Sequence, residues 1–187
     1  INGNPPYGAK VSKVYLNFFV EKYKASRLNK IFSVTYISFY ILGLNSLLKN
    51  DGLLGYIAPN TWRLVSNGLE FRKFITSDKF SIIKIIQHTE KVFSDATVDV
   101  DTVIVKKQNQ IDKTEIVIGE LNKNYFKHKI SQSILYNQEY INLFLTESSY
   151  DLKSKIENNS KLAKSLFEIK NGIKPYEVGK GKPAQTK

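Results

Sequence analysis

Three short apolar runs restrict what this chain can fold into. Leu53-Leu54-Gly55-Tyr56-Ile57-Ala58 is stopped by Pro59-Asn60, Ser81 to Gln87 is rich in Ile, and Val98 to Val105 alternates in part. Runs of this length predict strands, the first of them, with its Pro-Asn stop, a buried parallel strand. Helix signals fall before and between them. Ile31 to Leu48 is a long uncharged stretch ended by the turn Lys49-Asn50-Asp51-Gly52. Asn67, with Glu70 three residues on, offers an N-cap and its reciprocal partner for a helix running to about Thr76. Strand, helix, strand, helix, strand is the grammar of an open α/β sheet. The loop Glu90 to Ala96 is too short for a crossover helix, so the last of the three strands is expected to return as an antiparallel hairpin. Thr114 to Leu121 is a candidate for one more strand. From there to about Phe167 the pattern is polar and mixed, a variable insert with a helix, and the tail from Ile169 is a Gly-, Pro- and Lys-rich loop.

Composition removes several chemistries. The 187 residues include no Cys and only two His, His88 and His128, which excludes disulfide frameworks, thiolate zinc sites and cysteine nucleophiles and makes a His-rich metal site improbable. At 42% hydrophobic and 12% aromatic residues, the chain is too rich in core formers to be disordered. The net charge of +11 points to a polyanionic partner, nucleic acid before an anionic membrane surface. Ile31 to Leu48 contains Ser33, Thr35, Ser38, Asn45 and Ser46 and barely reaches the ~30 Å of a bilayer core, so it predicts a buried helix and no membrane span. The lack of Cys fits a reducing compartment. Functional-looking sequence begins at once on Ile1, with no signal peptide, which gives the expectation of a fragment of a longer protein.

Asn4-Pro5-Pro6-Tyr7, extended to Gly8, carries the chemistry. Proline fixes its own φ and pushes the preceding residue into the extended region, so two in succession lock one backbone path directly after a strand. Such a path is expected to set the Asn4 amide oxygen and the Pro5 carbonyl oxygen side by side, with the Tyr7 ring close by. Two neutral acceptors and an aromatic face suit a planar group bearing an amine.

This segment resembles motif IV of S-adenosylmethionine-dependent amino-methyltransferases, in the form used for adenine-N6 methylation of DNA. Other stretches follow in that family's order. Thr35 to Leu48 resembles motif V and its helix, Asp51 to Trp62 the next turn, strand and loop, Phe71-Arg72-Lys73-Phe74-Ile75 the following helix, and Val92 to Val105 motif VIII with its strand. Ile169 to Pro183 is similar to the opening of the DNA-specificity region of type II restriction-modification methylases.

The resemblance implies the C-terminal half of a Rossmann-like α/β methyltransferase sheet with a terminal antiparallel hairpin. It divides the chain into a catalytic part at 1–108, a variable insert and helical connection at 109–168, and the start of a target-recognition region at 169–187. It implies cytoplasmic action on double-stranded DNA, with the target adenine flipped out of the duplex. Tyr7 and Phe93 would stack on the two faces of the base, while Asn4 and Pro5 accept its amine hydrogens and Pro6 holds the path. Tyr40 matches an aromatic near the cofactor, although Thr35 stands where the family has an acidic or amide residue. Lys180 and Lys182, in Gly179-Lys180-Gly181-Lys182, would contact phosphate. Neither a metal nor a covalent intermediate is implied.

The Gly-rich loop with which the family holds S-adenosylmethionine is missing, because the ten glycines never cluster between a strand and a helix. The chain is therefore expected to need the remaining N-terminal part of its parent and to transfer nothing alone. Glu168-Ile169-Lys170 lacks the preceding Pro-Asp of a nuclease site and is rejected as one. Two other functions fit parts of the pattern. A protein glutamine methyltransferase uses the same Asn-Pro-Pro-Tyr for an amide nitrogen, and a non-catalytic DNA-binding module would need only the charge.

Overall fold

A computed structural model describes residues 1–7, 12–22, 35–93, 98–108, 112–120, 123–136 and 138–169. The chain divides into a first unit, Ile1–Tyr150, and a second, Asp151–Lys187. The first unit is built on six strands: β1 (Asn2–Gly3), β2 (Leu53–Pro59), β3 (Ser81–His88), β4 (Val100–Lys106), β5 (Lys113–Glu120) and β6 (Lys123–Ser131). They form one mixed sheet in the order β1-β2-β4-β3-β5-β6. Its helices are α1 (Lys13–Lys22), α2 (Thr35–Leu42), α3 (Leu69–Ile75) and α4 (Gln132–Tyr136), followed by α5 (Glu147–Asn158), which runs on into the second unit; α6 (Ala163–Leu166) lies wholly within the second unit.

The antiparallel step expected after β3 is present. β4 pairs antiparallel with both β3 and β2, so it lies between two strands that run the same way. β1 is parallel to β2, and β5 is parallel to β3. The C-terminal ends of β1, β2, β3 and β5 therefore share one edge of the sheet with the starts of β4 and β6. Beyond the β3–β4 hairpin the sheet continues: Thr114 to Leu121 supplies most of β5, and the polar stretch after it returns as β6.

Burial in β2 alternates. Leu54, Tyr56 and Ala58 are buried, whereas Gly55 and Ile57 are half-buried and Leu53 is exposed. The expected strand buried on both faces is thus a strand buried on one. The core lies on that one face, where Tyr36, Tyr40, Ile41 and Leu44 meet Leu54, Phe71, Ile82, Ile85, Val103 and Ile116. The described part of the long uncharged stretch is α2, which loosens into a π-helical turn at Gly43–Leu47. Gly43 lies so near β2 that a Cβ would sit 2.3 Å from Leu54 Cδ1, so any side chain there would have to displace the end of Leu54. Among the described residues no helix is long and apolar enough to cross a membrane.

The turn expected at Lys49–Gly52 is built around Asp51, whose φ of +61° is tolerated by a short polar side chain. Its carboxylate meets Lys106 Nζ at 2.9 Å and Gln108 Nε2 at 2.8 Å, which ties the turn to the end of β4. One helix boundary differs from expectation. The helix α3 starts at Leu69 with Gly68 in the N-cap position and no side-chain cap, because a 3-10 turn at Ser66–Gly68 takes up the backbone where Asn67 was expected to begin it.

Candidate active site

The edge that gathers the C-terminal ends of parallel strands is where open α/β sheets bind their ligands, because loops leave there with free backbone groups. β1 delivers Asn4-Pro5-Pro6-Tyr7 to it. Asn2 is in register with Gly55 and Gly3 with Tyr56, and Gly55 N donates to Ile1 O at 2.8 Å, so the short strand is held by β2. Pro5 is buried, Asn4 and Pro6 are exposed, and Tyr7 is half-buried. The Tyr7 hydroxyl donates to Asn4 Oδ1 and lies 3.4 Å from Ile57 O on β2. Burial pushes the Tyr7 pKa up, so the ring keeps the proton it donates. An amide oxygen has two lone pairs, so Asn4 retains one acceptor position for a partner's N–H.

Phe93 follows β3 and reaches the same place. Its ring meets that of Tyr7 at 6.3 Å between centroids and 63°, an edge-on approach. A base held between two rings needs them parallel and about 7 Å apart, twice the ~3.5 Å separation of touching carbons. The two rings meet edge-on, so no parallel gap of that width separates them in this arrangement.

The other expected site residues lie elsewhere. Tyr40 is fully buried, its ring packed at 5.0 Å against Tyr56 and 5.4 Å against Phe71, with its hydroxyl 3.4 Å from Tyr56 O. It packs the core beneath the edge and presents no surface to a cofactor. Lys180 and Lys182 lie outside the described residues. Among the described residues, Tyr40 is enclosed and offers S-adenosylmethionine no contact surface.

One feature of the edge has no motif to announce it. Arg63, in the 3-10 turn Asn60–Arg63 that follows β2, is 3% exposed and meets the fully buried Asp101 of β4 at 2.5 Å. Its guanidinium also donates to Ile141 O at 3.1 Å and Gln87 Oε1 at 3.3 Å. Burial pushes the Asp101 carboxyl pKa up, and the Arg63 charge beside it pulls it back down. The available signal was parity: Asp101 shares the inward face of its strand with Val103 and Val105, a placement a carboxylate takes only with a partner.

His88 closes β3 just before the Phe93 loop, with Nε2 2.9 Å from Thr102 Oγ1. Burial lowers its pKa, with Glu90 opposing. Because the unfolded chain then takes up a proton first, stability is lost as pH falls below about 6.5, the ordinary histidine value. The urea midpoint is expected to fall over that window, and to fall less in His88→Gln. Equal falls in both proteins would remove His88 as the cause.

Residues 1–93 match the model of the Eco57I restriction-modification methylase family. A curated relative, the type II restriction enzyme and methyltransferase RM.Eco57I of Escherichia coli, is 26% identical over 191 residues, covering 98% of this chain and 18% of the relative. The chain thus spans under a fifth of that protein's length. Among solved structures, the methyltransferase subunit of a type I restriction-modification system from Streptococcus thermophilus superposes with a TM-score of 0.56 at 18% identity, over 76% of this chain and 36% of that one. The type IIG restriction endonuclease BpuSI gives 0.55 at 13% identity, over 84% of this chain and 22% of that one. At such identity the superpositions speak to the fold, which they share with the mixed sheet described above. Residues 1–93, with the Asn-Pro-Pro-Tyr path at their head, thus carry the match to the Eco57I restriction-modification methylase family, and the chain is homologous to a type II restriction-modification methyltransferase.

Proposed function

We propose that this chain forms the base-receiving part of a restriction-modification DNA methyltransferase acting on the N6 amine of adenine. The observation that carries the reading is the joining of Asn4, Tyr7 and Phe93 at one sheet edge, with the Tyr7 hydroxyl on Asn4 Oδ1. A flipped adenine offers a flat π-face and an amine with two N–H bonds. Tyr7 and Phe93 supply aromatic surface, worth about 1–3 kcal/mol for a stacked base. The remaining lone pair of Asn4 Oδ1 accepts one amine hydrogen, and the Pro5 carbonyl is the partner for the other. Acceptors aimed at the amine favour the positive charge that nitrogen gains as it bonds to a carbon electrophile. Pro5 and Pro6 hold these groups in place before the substrate arrives, so little ordering remains to be done.

The methyl donor belongs to a longer protein in this reading. S-adenosylmethionine is the cofactor in this reading, and the Gly-rich loop that holds it comes from the remainder of the parent protein. The match to under a fifth of the Escherichia coli relative fits that division. The partners are then double-stranded DNA and the remainder of the parent protein, in the cytoplasm.

The test uses the complete enzyme with methyl-labelled S-adenosylmethionine, offered duplex DNA and a general protein mixture. The expected product is labelled N6-methyladenine. Label in protein glutamine would overturn the substrate and leave the Asn4 chemistry standing. No label in either, with DNA still bound, would leave a binding module. The 187-residue chain alone is expected to give no transfer.

A further inference from the structure

The sheet ends in a row of lysines. Among the described residues β6 pairs only with β5, and Lys123, Tyr125, Lys127 and Lys129 are among its exposed positions, with Asn124. Period-two alternation puts Lys127 and Lys129 on one face about 6.8 Å apart, whereas Lys123 lies beyond a register shift opposite Ile118 and Gly119. The opposite face of the strand carries Phe126, His128 and Ile130, turned toward the core.

The carboxylates beside the row are engaged. Glu115 on β5 is held by Lys84 at 2.8 Å and Lys127 at 3.3 Å, and Glu120 accepts from the Tyr125 hydroxyl. Lys123 lies over the Tyr125 ring, 5.1 Å from its centroid. Among the described residues neither Lys123 nor Lys129 has an ion-pair partner. The row begins at the edge that holds Asn4 and Phe93, since Thr89 N, just after β3, bonds Gly119 O at the end of β5.

From β1 to β6 there are five strand spacings, roughly 24 Å at ~4.8 Å each, or about seven base pairs at 3.4 Å rise. A duplex that lies along this edge with its target base at Asn4 is long enough to reach β6 within one helical turn.

We infer that the exposed side chains of Lys123, Tyr125, Lys127 and Lys129 on β6 form a second docking surface for the duplex, tracking its phosphate backbone away from the flipped base. The inference rests on the DNA reading above. Lysines on an exposed edge strand also deter pairing with other chains, and that role alone requires no DNA.

The measurement is the salt dependence of duplex binding by the chain. Replacing Lys123, Lys127 and Lys129 together by Gln is expected to weaken binding and to reduce the slope of log K against log salt by about 2–3, near 0.9 for each phosphate that is no longer neutralised. The same three positions changed to Arg are expected to keep the wild-type slope. An unchanged slope in the Gln protein overturns the surface, and it does so even where labelled N6-methyladenine has upheld the DNA reading. Absence of salt-dependent duplex binding by the wild-type chain overturns the surface too.

A second measurement needs no variant. Duplex should protect Lys123, Lys127 and Lys129 of the wild-type chain from amine acetylation while leaving Lys49, at the far end of the strands, as reactive as before. Equal labelling with and without duplex overturns the proposal.

Discussion

Asp101→Ala is expected to destabilise the first unit by about 3–5 kcal/mol, the usual result of leaving one member of a buried ion pair alone. Arg63 is 3% exposed and Asp101 fully buried, so water cannot replace the missing carboxylate. The damage would spread because the same guanidinium donates to Ile141 O and Gln87 Oε1, while Ile141 N returns a bond to Arg63 O at 3.1 Å. One side chain thus joins the turn after β2, the end of β3, the start of β4 and the 141 segment. Asp101→Asn keeps the shape and an acceptor but removes the charge, so its effect should be smaller. The double change Arg63→Met with Asp101→Leu should recover most of the stability, since replacing a buried pair by apolar groups of similar volume is often neutral. Urea unfolding of the three proteins checks the order. A cost below about 1 kcal/mol for Asp101→Ala would show that the pair is relaxed or hydrated and does not brace the edge.

The difference between what was legible in the sequence and what was not follows from the range of the interactions involved. β2, β3 and β4 are marked by local composition, since each is a short run rich in apolar residues and the first is stopped by Pro59-Asn60. The direction of β4 was also legible, because the Glu90–Ala96 loop is too short for any crossover. Its position between β2 and β3 was not, since that depends on pairing across about 45 residues, Tyr56 with Val103. β6 was hidden for a different reason. Its outward positions are Lys and Tyr and its inward ones include His128, so the alternation is real but carries little hydrophobic contrast.

The candidate site divides in the same way. Two prolines fix backbone directly, so the meeting of Asn4 and Tyr7 could be expected from four residues. Phe93 was placed by resemblance and does reach Tyr7, although edge-on where stacked partners were expected. Arg63 and Asp101 lie 38 residues apart, and only their burial reveals the pair.

Asn4→Ala in the complete enzyme should reduce methyl transfer by at least about 10²–10³-fold, the scale found when one preorganised polar group facing developing charge is removed. Affinity for duplex DNA should stay near wild type, because phosphate interactions supply most of that affinity and Asn4 makes none in this reading. Tyr7 separates two effects that Asn4 combines. Tyr7→Phe keeps the ring against Phe93 and removes only the hydroxyl that holds Asn4 Oδ1 in place. A net hydrogen bond of about 1 kcal/mol predicts a fall of roughly five- to tenfold, in kcat more than in KM, since the amide would still be present but less well aimed. Tyr7→Ala removes aromatic surface as well and should cost more, with part of the effect in binding of the flipped base. The expected order is Asn4→Ala, then Tyr7→Ala, then Tyr7→Phe. If Tyr7→Phe were as damaging as Asn4→Ala, the hydroxyl itself would have to touch the amine, and Asn4 would become the group that positions it. If Asn4→Ala were harmless, the Pro5 carbonyl alone would suffice as acceptor, and the side-chain half of the site would have to be abandoned.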